Sequence, residues 1–237
     1  MYRSLSDRAD WSVREWFMGK GRLRFETGCG FFRAPCEPTG DLYMLRLIKT
    51  VRPRKLPFRR RVARAAVALI YRRDANGGYE LFFIQRAHRD GDPWSGHMAF
   101  PGGRLESADT SSRNTAMRET LEETGLDLFT HGEPQKRLSD LLTRQHSRMR
   151  PMVVTPHVFE WIGPDDVDLN HEVQGQLWIP LSFLRDPANQ STLTWRTRFG
   201  ELEMPCCNYQ GHCIWGLSYS MLQEFIAEFV KVQESAG

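Results

Sequence analysis

The stretch "FPGGRLESADTSSRNTAMRETLEETGL", residues 100 to 126, places Glu119, Glu122 and Glu123 within five positions. Like charges repel, so such crowding calls for something that neutralises it. Asp109, Thr110, Ser111 and Ser112 are all candidate N-caps. Ala116, Met117, Leu121 and the methyl of Thr124 supply an apolar side, and Gly125 suits the left-handed position just past a helix end. Asp109 to Gly125 therefore predicts one helix of about three turns. On it Glu119, Glu122 and Glu123 stand at i, i+3 and i+4 and share a face. Arg118, four residues before Glu122, is placed to hold that carboxylate. Oxygen ligands gathered at one point favour Mg²⁺ or Mn²⁺. A solvated acidic helix gives the same string. What separates the two readings is the preceding Pro101-Gly102-Gly103, read as a sharp turn whose bare backbone can approach a phosphate or offer a carbonyl to a metal. Such a turn followed by such a helix is equipment for phosphate-anhydride chemistry.

The 237 residues suffice for one large domain, or for an ordinary domain with an extension. A net charge of +3 is too weak to imply a nucleic-acid partner. The five cysteines, Cys29, Cys36, Cys206, Cys207 and Cys213, show no CxxC spacing and read as free thiols of a reducing, cytoplasmic setting. Cys206, Cys207, His212 and Cys213 cluster, but lack the second spaced pair a zinc site needs. No apolar run reaches membrane-spanning length. Asp7, Asp10 and Glu15 among the N-terminal arginines argue against a mitochondrial presequence.

Residues 1–60 read as an extension. "DRADWSVREWF" and "DLYMLRLIKTV" are short amphipathic helix candidates. "RPRKLPFRRRVAR" is a basic linker, read as a solvated connector in preference to a nucleic-acid contact. Residues 61–232 read as one packed α/β domain. "VARAAVALIYRR" and "YELFFIQRA" are strands joined by the turn "DANGG". "MVVTPHVFEWI" and "GQLWIPL" are further strands. "YSMLQEFIAEFVKVQ" is a closing helix, with Met221, Leu222, Phe225, Ile226 and Phe229 at helical spacing.

The glutamate segment resembles the box of the Nudix hydrolases, G-x5-E-x7-R-E-U-x-E-E-x-G-U, where U is bulky and apolar. Gly103, five residues, then Asp109 and eight residues lead into Arg118-Glu119-Thr120-Leu121-Glu122-Glu123-Thr124-Gly125-Leu126. The Asp, the extra residue and the Thr are departures that look like the coenzyme A diphosphatase branch. That branch's upstream signature is similar to "LFFIQRA" and "GHMAFPGG". Its further Arg, four residues before Gly96, is replaced by Asp92, and the segment from Arg86 to Gly96 is one residue longer than usual. Arg89 is the candidate replacement. "VVTPHVF", "NHEVQGQLWIPL" and "GHCIWGLSYSMLQEF" extend the likeness to about residues 62 to 230.

The resemblance implies a Nudix fold, a mixed β-sheet sandwiched between helices, over residues 61–232. It implies a Mg²⁺- or Mn²⁺-dependent diphosphatase acting on a nucleoside diphosphate-linked small molecule. Coenzyme A or acyl-coenzyme A leads; ADP-ribose, NADH or another such derivative is the alternative, and a non-catalytic nucleotide sensor a third reading. Glu119, Glu122, Glu123 and the Gly103 carbonyl are the implied metal ligands, with Arg118 orienting the carboxylates. Glu172 is the first candidate for general base and His97 the runner-up. Arg86, Arg89, His97, Phe100, Pro101 and Gly102 are the implied substrate contacts, the arginines because guanidinium forks suit phosphates. Trp94 stands either to stack on a base or to pack under its loop. Neither membrane nor nucleic acid is expected as a partner, and a homodimer is left open.

Overall fold

The computed structural model describes residues 53–90, 94–144, 150–197 and 200–235. The two N-terminal helix candidates, Cys29, Cys36, Asp92 and the side chain of Phe229 lie outside these residues.

Two long apolar runs set the architecture. Strand β1 (Ala63–Arg73) and strand β2 (Tyr79–Arg86) alternate between two cores. Leu69, Tyr71, Leu81 and Phe83 face one core; Ala66, Ala68, Ile70, Phe82 and Ile84 face the other. A strand buried on both faces reads as a continuous apolar run. The two strands pair antiparallel through Tyr71↔Leu81. Asp74 fastens their turn, accepting from the Asn76 and Gly78 N–H groups at 2.8 Å each.

Strands β3 (Met98–Ala99) and β4 (Gly102–Arg104) are short. Helices α1 (Ser112–Thr124) and α2 (Leu128–His131) follow, then β5 (Gly132–Arg137), β6 (Leu141–Arg144) and β7 (Pro151–Trp161). Next come β8 (Val173–Pro180) and a short helix α3 (Leu181–Arg185). Strands β9 (Gln190–Thr197), β10 (Gly200–Tyr209) and β11 (His212–Trp215) form a separate antiparallel sheet, and helix α4 (Gly216–Ser235) closes the chain. The main sheet is mixed: β7 runs parallel to β1 from Ala63 to Tyr71, and the other pairings are antiparallel. Helices α1 and α2 cover one face. On the other, α4 seats Met221, Leu222 and Phe225 in the core, with Ile226 at its edge. The strands at 63–73, 79–86, 151–161 and 173–180 and the closing helix match the sequence reading. Strands β5, β6 and β9–β11 are additions to it.

The sheet edge that serves the site is divided. Strand β1 gives only Tyr71–Arg73 to β2, and its other end, Ala65–Val67, pairs with β4. The chain enters this gap through Pro101, whose carbonyl accepts from the Ala68 N–H at 2.9 Å. Of the expected sharp turn at Pro101-Gly102-Gly103, Pro101 is a bend and both glycines are strand, because β1 supplies the backbone partners that a turn would lack.

The basic linker is not wholly a solvated connector. Asp140, with a fully buried side chain, binds the Leu56 N–H at 3.0 Å and the Arg59 guanidinium at 3.2 Å. It also accepts from Thr155 at 2.8 Å and pairs with Arg137. Its own N–H donates to the Arg54 carbonyl at 2.9 Å. A carboxylate this buried is stable only with its cations in place. Asp140→Ala leaves two arginines unmatched and should cost about 3–5 kcal/mol. Urea denaturation measures this; a loss below about 1 kcal/mol would mean that the cluster is not buried in solution.

Candidate active site

Helix α1 forms where the sequence indicates. Ser111 is its N-cap, accepting from the Asn114 N–H at 3.2 Å, and Gly125 ends it at φ 74°, donating to the Leu121 carbonyl at 2.9 Å. Of the expected apolar side, Ala116 and Thr124 are buried and Met117 packs on the core, but Leu121 is not part of it. Leu121 is 41% exposed, while Thr115, Ala116, Thr120, Glu123 and Thr124 are buried. Thr120 and Thr124 go inward because their hydroxyls donate to the carbonyls of Ala116 and Thr120, each at 2.7 Å. A threonine satisfied in this way presents only its methyl to the core.

The three glutamates of α1 occupy graded surroundings. Glu123 is 4% exposed, and the side chains of Glu119 and Glu122 are 18% and 54% exposed. Glu123 Oε2 accepts from the Gly102 N–H at 2.9 Å. Burial pushes its carboxyl up to about 7; the Gly102 N–H opposes this, the charges of Glu119 and Glu172 add to it, and that of Arg86 opposes it. Burial also raises Glu119, against the pull of Arg118.

Arg118 joins the outer groups. Its Nε and Nη2 donate to the two oxygens of Asp109 at 3.1 Å each. Nη1 reaches both oxygens of Glu122 at 3.2 and 3.1 Å. Nη2 also lies 3.0 Å from Glu119 Oε1 and donates to the Arg104 carbonyl at 3.3 Å. The hydrogen bond from Arg118 holds Asp109 down at about 2. Asp109 is further fixed by Thr115 Oγ1 and the Glu106 N–H, both at 2.9 Å.

Two glycines make the close approach possible. At Gly102, φ is 149°, and an added Cβ would fall 2.3 Å from the Ala66 carbonyl oxygen. At Gly103 it would fall 2.3 Å from the carboxyl carbon of Glu119. Among the described residues no three His, Cys, Asp or Glu side chains stand grouped ready for a cation. Arg118 engages Glu119 and Glu122, while Glu123 turns to Gly102. The donor set nevertheless fits Mg²⁺ or Mn²⁺: it consists of oxygens only, the missing side chain of Gly103 lets the Glu119 carboxyl lie against the backbone there, and a cation would favour ionisation of the buried Glu123 carboxyl.

The loop before β8 is tied to α1. The Asp168 and Asn170 N–H groups donate to the carbonyls of Thr124 and Glu123 at 2.9 and 3.1 Å. This brings in Glu172, 40% exposed at its side chain, which pairs with Arg89 Nη2 at 2.8 Å. Arg86 follows Gln85 at the end of β2, and its charge reaches Glu123. His97 lies in an aromatic group with Trp94, Trp195 and Trp215. Phe100 is 3% exposed, its ring 4.5 Å from that of Phe83, and leaves almost none of itself to a ligand. Pro101 is buried as well. Cys206 and Cys207 lie buried on β10, with Cys213 on β11. Burial pushes the Cys207 thiol up to about 11. Sequence reasoning passed over Trp195, Trp215 and the loop bonds from Asp168 and Asn170; nothing in local spacing announces contacts that only tertiary folding creates.

A short glycine strand lying against a helix of glutamates, on a mixed sheet between helical layers, defines an α/β/α domain organised around one carboxylate cluster. The chain belongs to the Nudix family, whose members act on phosphoric anhydrides: the NUDIX domain matches residues 62–198. It is 29% identical over 197 residues to the human mitochondrial coenzyme A diphosphatase NUDT8, covering 81% of this chain and 78% of that one. A 48-residue stretch is 58% identical to an uncharacterized protein of Schizosaccharomyces pombe, 20% of this chain and 15% of that one, so the match spans a small part of that relative's length. Solved structures with similar folds include a Caenorhabditis elegans Ap4A hydrolase binary complex (22% identity, TM-score 0.49, 72% of this chain and 99% of that one). A MutT/nudix family protein from Enterococcus faecalis is 13% identical at TM-score 0.47, covering 99% of this chain and 76% of that one.

Glu123 imposes a pH dependence on the metal-free protein. Its folded pKa of about 7 exceeds the ordinary carboxylate value, so between about 4.5 and 7 the folded state holds a proton that the unfolded state has lost. Its contribution to stability is therefore full below that window and declines as pH rises through it, by roughly 3 kcal/mol. His157 acts in the opposite direction: burial lowers its pKa to about 4, and the stability it contributes is lost as pH falls from about 6.5 to 4. Glu123→Gln should remove only the first limb. Thermal melts with EDTA from pH 4.5 to 7 should show wild type losing stability relative to the variant; parallel profiles would contradict the assignment.

Proposed function

We propose that this chain hydrolyses the diphosphate bond of coenzyme A or acyl-coenzyme A, releasing adenosine 3′,5′-bisphosphate and phosphopantetheine, free or acylated. The observation that carries the reading is the buried Glu123 carboxyl and its neighbour Glu119, both packed against a strand whose glycines alone permit so close an approach. Similarity to a human coenzyme A diphosphatase supports the substrate. When bound, Mg²⁺ or Mn²⁺ would neutralise the anhydride oxygens and make water a better nucleophile.

The chain's own groups have distinct tasks. Glu119, Glu122, Glu123 and the Gly103 carbonyl are the proposed ligands, and Arg118 fixes the carboxylates from behind. Arg86 and Arg89 are the proposed phosphate contacts. Glu172 is the proposed base: it accepts the proton of the attacking water as the new P–O bond forms and the bridging P–O bond breaks. Its carboxylate is open to water, and its pairing with Arg89 brings a phosphate contact beside the base. Asp92, standing where the related signature has Arg, favours a second reading with ADP-ribose or NADH as substrate. Among the described residues no helix is long and apolar enough to cross a membrane. The cytoplasm is the proposed compartment, resting on the free thiols; cell fractionation tests it.

Coenzyme A, acetyl-coenzyme A, ADP-ribose and NADH, each with Mg²⁺, Mn²⁺ or EDTA, form the test panel. Metal-dependent cleavage of coenzyme A is expected, with Glu122→Gln and Glu123→Gln each lowering it more than about 100-fold, the upper end for losing a group behind a ligand. Cleavage of ADP-ribose or NADH alone would transfer the assignment to the second reading. Nucleotide binding without turnover, in folded protein, would leave a sensor in place of an enzyme.

A further inference from the structure

Strand β11 packs on β3, and a cleft of about 270 Å³ lies between the end of β2 and the three-stranded sheet. Its lining includes Gln85, His97, Leu193, Trp195, Cys213 and Trp215. Trp195 and Trp215 have ring centroids 4.6 Å apart, and His97 stands edge-on to Trp215 at 5.0 Å. Trp94 lies almost parallel to Trp195, at 9° and 6.3 Å, and is 43% exposed. The core does not require this arrangement: none of these four rings belongs to either buried cluster.

We infer that this aromatic cleft binds the planar heteroaromatic base at the nucleoside end of the substrate. Three features favour a base over the flexible thiol arm. The walls carry the Trp195 and Trp215 indoles, and aromatic rings stack on any base for about 1–3 kcal/mol. Gln85, His97 and His212 bring hydrogen-bonding groups to the same walls, where an acyl chain has no use for them. The volume is below the roughly 300–1,000 Å³ of clefts that enclose a whole drug-sized ligand, so it suits one end of a longer molecule. The two sites also meet in the chain. Gln85 lines the cleft, and the next residue, Arg86, acts on Glu123. Arg86 and His97 are themselves joined, the Arg86 N–H donating to the His97 carbonyl at 3.1 Å. A base held in the cleft thus has its phosphates at the end of β2, where Arg86 leads to the carboxylates. This inference rests on the diphosphatase reading.

Tryptophan fluorescence of the full chain tests it directly, titrated with adenosine 3′,5′-bisphosphate and, separately, with 4′-phosphopantetheine. The nucleotide should quench the indoles. Trp195→Leu should raise its Kd about 5- to 140-fold, the stacking energy expressed as affinity. Trp94→Ala, on the exposed loop beside Trp195, should raise it in the same direction, with circular dichroism confirming that the variant is folded. Affinity for phosphopantetheine should not change in either variant. Quenching by phosphopantetheine instead, or unchanged nucleotide affinity in both variants, would overturn the inference. Turnover is assayed alongside. An active wild type without nucleotide quenching removes the cleft assignment and keeps the reaction; quenching in an inactive wild type removes the reaction and keeps the cleft.

Discussion

The guanidinium of Arg118 faces three carboxylates and a carbonyl at once, and the arrangement of the site follows from that. Asp109 grips it from the loop before α1, and Glu119 and Glu122 meet it from the helix itself. The carbonyl of Arg104 ties it to the end of β4. A planar fork with five donors can serve so many acceptors in fixed directions; a lysine ammonium cannot. The result is that the helix, the glycine strand and the loop between them are held at one spacing, with Glu123 facing Gly102 beneath.

That spacing also depends on the divided edge of β1. Were β2 to pair along all of β1, no place would remain for β4, and Gly102 could not reach Glu123. The sheet leaves one half of an edge to a second partner, and the backbone that fills it carries two glycines because side chains at either would strike the strand or the carboxylate.

Much of this was legible in the sequence. The runs around Leu69 and Phe83 read as strands of one sheet, and the spacing of Glu119, Glu122 and Glu123 on a capped helix followed from local geometry. What the residues did not reveal came from partners distant in the chain. Leu121 looked like a core residue, yet Thr120 takes the inward place beside the expected Thr124, its hydroxyl satisfied by its own helix. The equal-looking glutamates differ because one points at a strand while two meet the same arginine, one of those half open to water. Trp195 and Trp215 were ordinary aromatic residues until a strand pairing set them beside His97.

The stitching of the linker to Asp140 bears on where this domain begins. The family match starts at residue 62, but the N–H of Leu56 and the guanidinium of Arg59 lie before it, and both are needed by a carboxylate that water does not reach. A fragment trimmed to the match would expose one side of that carboxylate and the apolar surface around it. A protease cutting in the run of arginines at 59–61 would do the same to the intact chain. Such a nick, though far from the glutamates in sequence, would loosen β7 through Thr155, and β7 is the strand on which β1 is aligned.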